Sequence, residues 1–227
     1  LYNYFCVIPA RGGSKRIPKK NIQEVAGIPL IGHVIRNAIN SNVFQDIYVS
    51  TDSDEIASIS LEFGAKTSDK RPKNLSDDYT PTRPVIADFI ERHPKLNTDK
   101  SVIACVYPFA ILIDSNLIRL ARDNFEALKD KGRYLAAIQK YPHPIQRSFS
   151  LTPEGLLSPS SPGSLEARTQ DLPAKYHDAG QFYFAKSSTW LSNKSVLATA
   201  YGFLIPKYSA VDIDDMEDLE YLRRLYK

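Results

Sequence analysis

The sequence predicts an α/β protein with a mostly parallel sheet covered by helices on both faces. Short, continuous apolar runs recur at Phe5-Cys6-Val7-Ile8, Ile47-Tyr48-Val49 and Val102 to Tyr107. Runs of that kind are strands buried on both faces. Amphipathic stretches separate them, and alternation of the two is the pattern of βαβ units. In such sheets ligands bind at the carboxyl ends of the strands. The segments after Ile8, Val49 and Val106 are therefore where chemistry is expected.

The elements follow in order. Pro29 opens a helix whose apolar face is Leu30, Ile31, Val34, Ile35, Ala38 and Ile39. Ser50-Thr51-Asp52 leads into a second helix carrying Ile56, Ile59 and Leu61, with Gly64 at its C-terminal end. Residues 71–80 are polar and turn-rich, and residues 82–93 form a further helix. Residues 114–128 are amphipathic, with Leu117, Leu120, Ala121 and Leu128 on one face. Residues 135–139 are a fourth strand. Six prolines and many serines then mark 141–175 as an irregular insertion within one domain of 227 residues, and the inserted segment is set at 141–181. Strand-like sequence resumes at Gln181-Phe182-Tyr183-Phe184, a short helix holds Trp190 and Leu191, and residues 201–205 are another strand. The last helix runs to Lys227, with Asp215, Glu217 and Asp218 in its first turns and Arg223, Arg224 and Lys227 at its end. That distribution matches the helix dipole.

Composition excludes several classes. With 43% hydrophobic and 24% charged residues the chain is neither disordered nor a coiled coil. A net charge of +3, from 29 Lys and Arg against 26 Asp and Glu, is too small for a nucleic-acid-binding surface. No apolar run reaches the roughly 18 residues of a membrane helix, and no secretory signal is visible. Cys6 and Cys105 lie in apolar runs and read as buried free thiols, so the cytoplasm is the expected compartment.

Chemistry is concentrated in Arg11-Gly12-Gly13-Ser14-Lys15-Arg16-Ile17-Pro18-Lys19-Lys20-Asn21, directly after the first strand. Five cations lie within ten residues. Glycines let the backbone approach a ligand and present N–H groups, and Arg and Lys neutralise phosphate charge. The residues alone admit a solvated basic loop or a polyphosphate site. A Walker A ending is absent. Near the end of the chain, Asp212 and Asp214 are two positions apart, which in extended backbone puts both carboxylates on one side. Two carboxylates with phosphate oxygens suit Mg²⁺, while Asp214 or Asp215 also suits the N-cap of the last helix.

The run from Ile8 to Ile22, Ile8-Pro9-Ala10-Arg11-Gly12-Gly13-Ser14-Lys15-Arg16-Ile17-Pro18-Lys19-Lys20-Asn21-Ile22, closely resembles the signature loop of the CMP-sugar synthetases for nonulosonic acids. The resemblance continues at Tyr48-Val49-Ser50-Thr51-Asp52, Arg71-Pro72-Lys73-Asn74-Leu75 with Asp78 and Thr80, and Val211-Asp212-Ile213-Asp214. Tyr141 to Arg147, Gln170 to Pro173 and Tyr176-His177-Asp178-Ala179-Gly180-Gln181-Phe182-Tyr183 look most like the pseudaminic acid branch of that family. One departure stands out. That branch has Tyr followed by Ala-Thr-Ala-Pro after the third strand, and this chain has Tyr107-Pro108-Phe109-Ala110-Ile111. The loss of the small polar residue bears on local sugar contacts and not on the CTP site.

The resemblance implies a Rossmann-like nucleotidyltransferase fold and the reaction of CTP with a nine-carbon sugar acid to give a CMP-sugar and pyrophosphate. It implies that Ala10, Arg11, Gly12, Gly13, Ser14, Lys15 and Lys20 hold the triphosphate, and that Asn21, Arg71 and Thr82 contact cytidine. Arg11, Lys15, Lys20 and Asp212 are the implied catalytic residues. Asp212 and Asp214 are the implied Mg²⁺ ligands, with Asp212 alternatively a general base. Tyr107, Arg147, Arg168, His177, Gln181 and Tyr183 are the sugar-side candidates, with Arg147 and Arg168 the two options for the sugar carboxylate. A homodimer through the inserted segment is also implied.

Overall fold

The computed structural model describes residues 1–68 and 70–226. Asp69 and Lys227, the latter the expected end of the last helix, lie outside the described residues. The strands are β1 (Asn3–Pro9), β2 (Glu24–Val25), β3 (Ile28–Pro29), β4 (Asp46–Ser50), β5 (Lys66–Thr67), β6 (Ser101–Val106), β7 (Leu135–Lys140), β8 (Phe149–Leu151), β9 (Leu157–Pro159), β10 (Tyr176–Lys186) and β11 (Tyr201–Leu204). The helices are α1 (Leu30–Ser41), α2 (Asp54–Glu62), α3 (Thr82–Glu91), α4 (Ser115–Ala127), α5 (Ser187–Leu191) and α6 (Met216–Leu225).

Seven strands form the central sheet in the order β11-β7-β10-β6-β1-β4-β5. β1 pairs in parallel with β4 on one side and β6 on the other, so the carboxyl ends of all three meet at one edge. β10 runs antiparallel to both β6 and β7. Alternation along β1 builds two cores. Tyr4, Cys6 and Ile8 pack under α1, α4 and α6, and Phe5 and Val7 pack with α3 and Trp190 on the other face. Burying a side chain such as Phe5, 1% exposed, contributes about 1.5–3 kcal/mol. Cys6 and Cys105 are both buried free thiols, as expected.

Two helix faces differ from the expected ones. In α4 the buried residues are Ile118, Ala121 and Phe125, and Leu120 is 51% exposed. In α2 the buried apolar residue is Ile56, and Leu61 is 56% exposed. The other expected residues do face the core: Ala121 is buried, and Ile59, Leu117 and Leu128 pack partly buried against it.

Residues 141–175 are largely irregular, with the β8–β9 hairpin as their one ladder among the described residues. Tyr176 to Gln181 belong to β10 in the central sheet, where a register shift separates Asp178 from Tyr183 and Gly180 takes φ +59°. No helix among the described residues is long and apolar enough to cross a membrane.

Candidate active site

A cleft of about 240 Å³ opens at the carboxyl edge of β1 and β6. One wall is the basic loop, contributing Arg11, Ser14, Lys15, Arg16, Lys20 and Asn21. Arg71, Asp77, Asp78, Thr80 and Thr82 form a second wall, Tyr107 and Phe109 a third, and Ile213 and Asp214 close the far side.

The loop is braced from below. Ile17 is 1% exposed and anchors its middle in the core. Asn21 Nδ2 donates to the Arg11 carbonyl at 2.9 Å, tying the two ends together. Gly12 N donates to Asp52 Oδ1 at 2.8 Å, and a Cβ on Gly12 would sit 3.0 Å from Ser53 Cβ. The Gly12 amide is thus spent on Asp52 at the end of β4, and Gly12 serves close approach of the loop to the scaffold. Ala10 is fully buried behind the cleft. Gly13 has open space around it and does not line the cleft.

The cations of the loop have distinct partners. Arg11 Nη1 and Lys15 Nζ each lie 2.6 Å from a different oxygen of Asp78, which holds that carboxyl below its usual range. Arg16 pairs with Asp214 at 2.6 Å and Lys19 with Glu55 at 2.7 Å. Lys20 Nζ donates to the Ile213 carbonyl and lies 4.4 Å above the centre of the Phe109 ring. Burial pushes the Lys20 ammonium down, opposed by the nearby Asp212 and Asp214.

The acidic pair sits where extended spacing puts it. Val211 and Ile213 are buried while Asp212 and Asp214 point outward. Asp215 caps α6, accepting from Glu217 N at 2.9 Å and Asp218 N at 3.0 Å. Asp218 in return accepts from the Asp214 and Asp215 amides, completing a capping box that fixes the backbone of the pair. Desolvation first, then Asp214, raises the Asp212 carboxyl above its ordinary value. Asp212 is exposed as a residue, so this desolvation is local to its carboxyl. It borders the cleft beside Asp214 and is not in its lining.

Arg71 is only 5% exposed, yet its Nε and Nη2 have no hydrogen-bond partner. Asp52 is 4.0 Å away. Burial lowers its pKa from the usual guanidinium value. Thr82 and the Tyr107 hydroxyl are hydrogen-bonded to one another at the start of α3. A buried guanidinium short of hydrogen-bond partners, beside a fixed hydroxyl, suits a flat, polar-edged ring entering from the cleft.

The sugar-side candidates divide. Tyr107 lines the cleft. The Tyr183 hydroxyl donates to Asp178, and its ring lines a separate hollow with Pro81, Arg83 and Lys194. Gln181 is 1% exposed and its amide donates to the Ala179 carbonyl at 2.9 Å. Arg147 donates to the Leu165 and Ala167 carbonyls within the insertion. Arg168 pairs with Asp171 at 2.7 Å, and His177 packs against Tyr141 at 4.8 Å between ring centres. None of these last four lines the cleft of its own chain. Cleft residues without an assigned role in the sequence include Arg16, Asp77, Asp78, Thr80 and Phe109. The acids after Arg71 were a signal for Asp78, since a five-cation loop without a ligand needs counter-charge nearby.

These features bring the cationic loop and Asp214 into one cleft, with Asp212 at its border. A family model for cytidylyltransferases matches residues 5–226. The chain belongs to the cytidylyltransferase family. Within it, the chain is 39% identical over 223 residues to the pseudaminic acid cytidylyltransferase of Campylobacter jejuni subsp. jejuni serotype O:23/36 (strain 81-176), covering 98% of this chain and 95% of that protein. It is 34% identical to the N-acylneuraminate cytidylyltransferase A of Danio rerio, over 92% of this chain and 47% of that one. The fold resembles a solved CMP:2-keto-3-deoxy-manno-octonic acid synthetase complexed with CTP, with a TM-score of 0.70 at 17% identity and 98% coverage of each chain. A 4-diphosphocytidyl-2C-methyl-D-erythritol synthase gives 0.68 at 9% identity over the whole of both chains.

Proposed function

We propose that this cytidylyltransferase transfers CMP from CTP to the anomeric hydroxyl of pseudaminic acid, releasing pyrophosphate. The convergence of the basic loop and the acid pair carries the reading: Arg16 meets Asp214 at 2.6 Å and Lys20 meets the Ile213 carbonyl. The choice of sugar is supported by the 39% identity to the Campylobacter jejuni relative over almost the whole chain.

The chemical problem is electrostatic. An anionic sugar must approach a polyanionic nucleotide in line with the leaving pyrophosphate. Arg11, Lys15 and Lys20 hold the triphosphate, and Lys15, 81% exposed at its side chain, is free to follow the departing pyrophosphate once Asp78 is displaced. Asn21, Arg71 and Thr82 hold cytidine, with Arg71 gaining the partners it lacks. Asp212 and Asp214 hold Mg²⁺. Among the described residues no cluster of three or more His, Cys, Asp or Glu could cage a metal. Two carboxylates beside a phosphate site fit the way Mg²⁺ is bound with its substrate. When bound, the ion polarises the α-phosphate and offsets its charge.

We also assign the active form as a homodimer working in the cytoplasm. Phe149, Leu151, Leu156 and Leu157 are 45–70% exposed on and around the β8–β9 hairpin, an apolar surface for a second copy. Arg147 and Arg168 lie in this inserted segment and His177 at the start of β10, all away from their own cleft, which suits a role at the sugar end of the neighbouring one. A reducing compartment suits the two free thiols.

The deciding experiment is pyrophosphate release from CTP and Mg²⁺ with a panel of nonulosonic acids. Pseudaminic acid is expected to give the highest kcat/KM. Preference for N-acetylneuraminic or legionaminic acid overturns the sugar assignment, and no release with any of them overturns the reaction.

A further inference from the structure

Four of the five cations in the basic loop are ion-paired: Arg11 and Lys15 with Asp78, Arg16 with Asp214, and Lys19 with Glu55. Lys20 alone among them has no carboxylate within ion-pair distance among the described residues. Its ammonium is held instead by the Ile213 carbonyl and by the face of the Phe109 ring, 4.4 Å away. That ring is itself fixed. It stacks on Tyr107 with centroids 5.5 Å apart and planes at 12°, and Tyr107 is bonded in turn to Thr82. The turn beneath it is closed by Ala110 N to Tyr107 O at 3.0 Å and Ile111 N to Phe109 O at 2.8 Å.

The distinction is electrostatic. A carboxylate partner would fix Lys20 but cancel the charge a phosphate needs, and leaving its anionic ligand would cost the ion pair. An aromatic face and a neutral carbonyl fix the ammonium while leaving its net charge intact. We propose that Phe109 is a positioning residue for Lys20, holding it over the cleft between the basic loop and the acid pair in a state ready for an anionic ligand. The Phe109 departure from the expected small polar residue thus acts on the nucleotide loop, where the sequence had pointed to the sugar. This inference rests on the nucleotide reading of the cleft.

The test is CTP binding by calorimetry for the wild type, Phe109→Leu, Phe109→Tyr, Lys20→Gln and the Lys20→Gln/Phe109→Leu double variant, each screened by thermal melting. Phe109→Leu keeps the bulk and removes the ring. It is expected to weaken CTP binding about fivefold to tenfold, with Phe109→Tyr restoring affinity near wild type. In the Lys20→Gln background the Leu substitution is expected to add nothing, because the partner is gone. Phe109→Met serves in place of Leu if the latter melts early. Wild-type affinity in Phe109→Leu, or an equal loss with and without Lys20, overturns the proposal. A wild type that fails to bind CTP overturns the nucleotide reading itself, a separately visible result.

Discussion

Arg16 Nη2 and Asp214 Oδ1 lie 2.6 Å apart across the mouth of the cleft, joining residues 198 positions apart in the chain. Both side chains are more than half exposed, so the pair adds little to folding. Its consequence is competition: Arg16 occupies a carboxylate that the proposed Mg²⁺ site also uses. Arg16→Ala is expected to leave the melting temperature nearly unchanged and to lower the Mg²⁺ concentration at half-maximal turnover. A Mg²⁺ titration at saturating CTP checks this, and an unchanged midpoint speaks against Asp214 as a metal ligand.

Among the described residues Asp212 has no ion-pair partner. Asp212→Asn keeps shape and removes one charge from the acid pair. Turnover in Mg²⁺ is expected to fall by two orders of magnitude or more, roughly what losing one electrostatic group at a reacting phosphate costs. CTP affinity, measured by calorimetry, is expected to change only a few-fold, since the basic loop is untouched. Unchanged turnover would remove Asp212 from the chemistry.

Arg71 combines deep burial with missing partners. Charge-assisted hydrogen bonds to a bound base are worth about 1.5–3 kcal/mol each, or about tenfold to hundredfold in affinity. Arg71→Met is therefore expected to weaken CTP binding by at least about tenfold, while the melting temperature holds or rises because an unsatisfied buried charge is gone. A large loss of stability with intact CTP affinity would mean that Arg71 is structural.

Asp46 predicts the acid limb of stability. Burial alone would raise its carboxyl, but hydrogen bonds from Lys66, Lys95 and Tyr48 outweigh that and hold it below the usual range. A depressed folded-state value contributes stability that is present above the unfolded carboxylate pKa, near 4, and is lost as pH falls through the folded value. Asp46→Asn should lower the melting temperature at neutral pH and flatten its decline on acidification. Parallel curves for variant and wild type would contradict the assignment.

The longer strands and the helices were legible because buried strands and amphipathic helices leave strong local patterns, while β2, β3, β5, β8 and β9, of two or three residues each, are too short to leave one. Helix faces were less legible: Leu117, Leu120, Ala121 and Leu128 fit the helical period, but packing under the sheet centres the buried stripe on Ile118, Ala121 and Phe125 and leaves Leu120 exposed. The antiparallel course of β10 was hidden because a strand buried on both faces reads alike in either direction. At the cleft, the basic loop and the acid pair stood out by residue type and spacing, while Arg71 and Thr82 were picked out by the family resemblance alone. The Lys20–Phe109 and Arg11–Asp78 contacts did not, because each joins residues far apart in sequence and depends on how loops from different strands meet at one edge.

The most direct test of the account is a crystal structure of the protein soaked with CTP and Mn²⁺, with the metal located by its anomalous signal. The account predicts the triphosphate against Arg11, Lys15 and Lys20 and the ion between its oxygens and the carboxylates of Asp212 and Asp214. A triphosphate bound with the ion elsewhere, and the acid pair untouched, would contradict it.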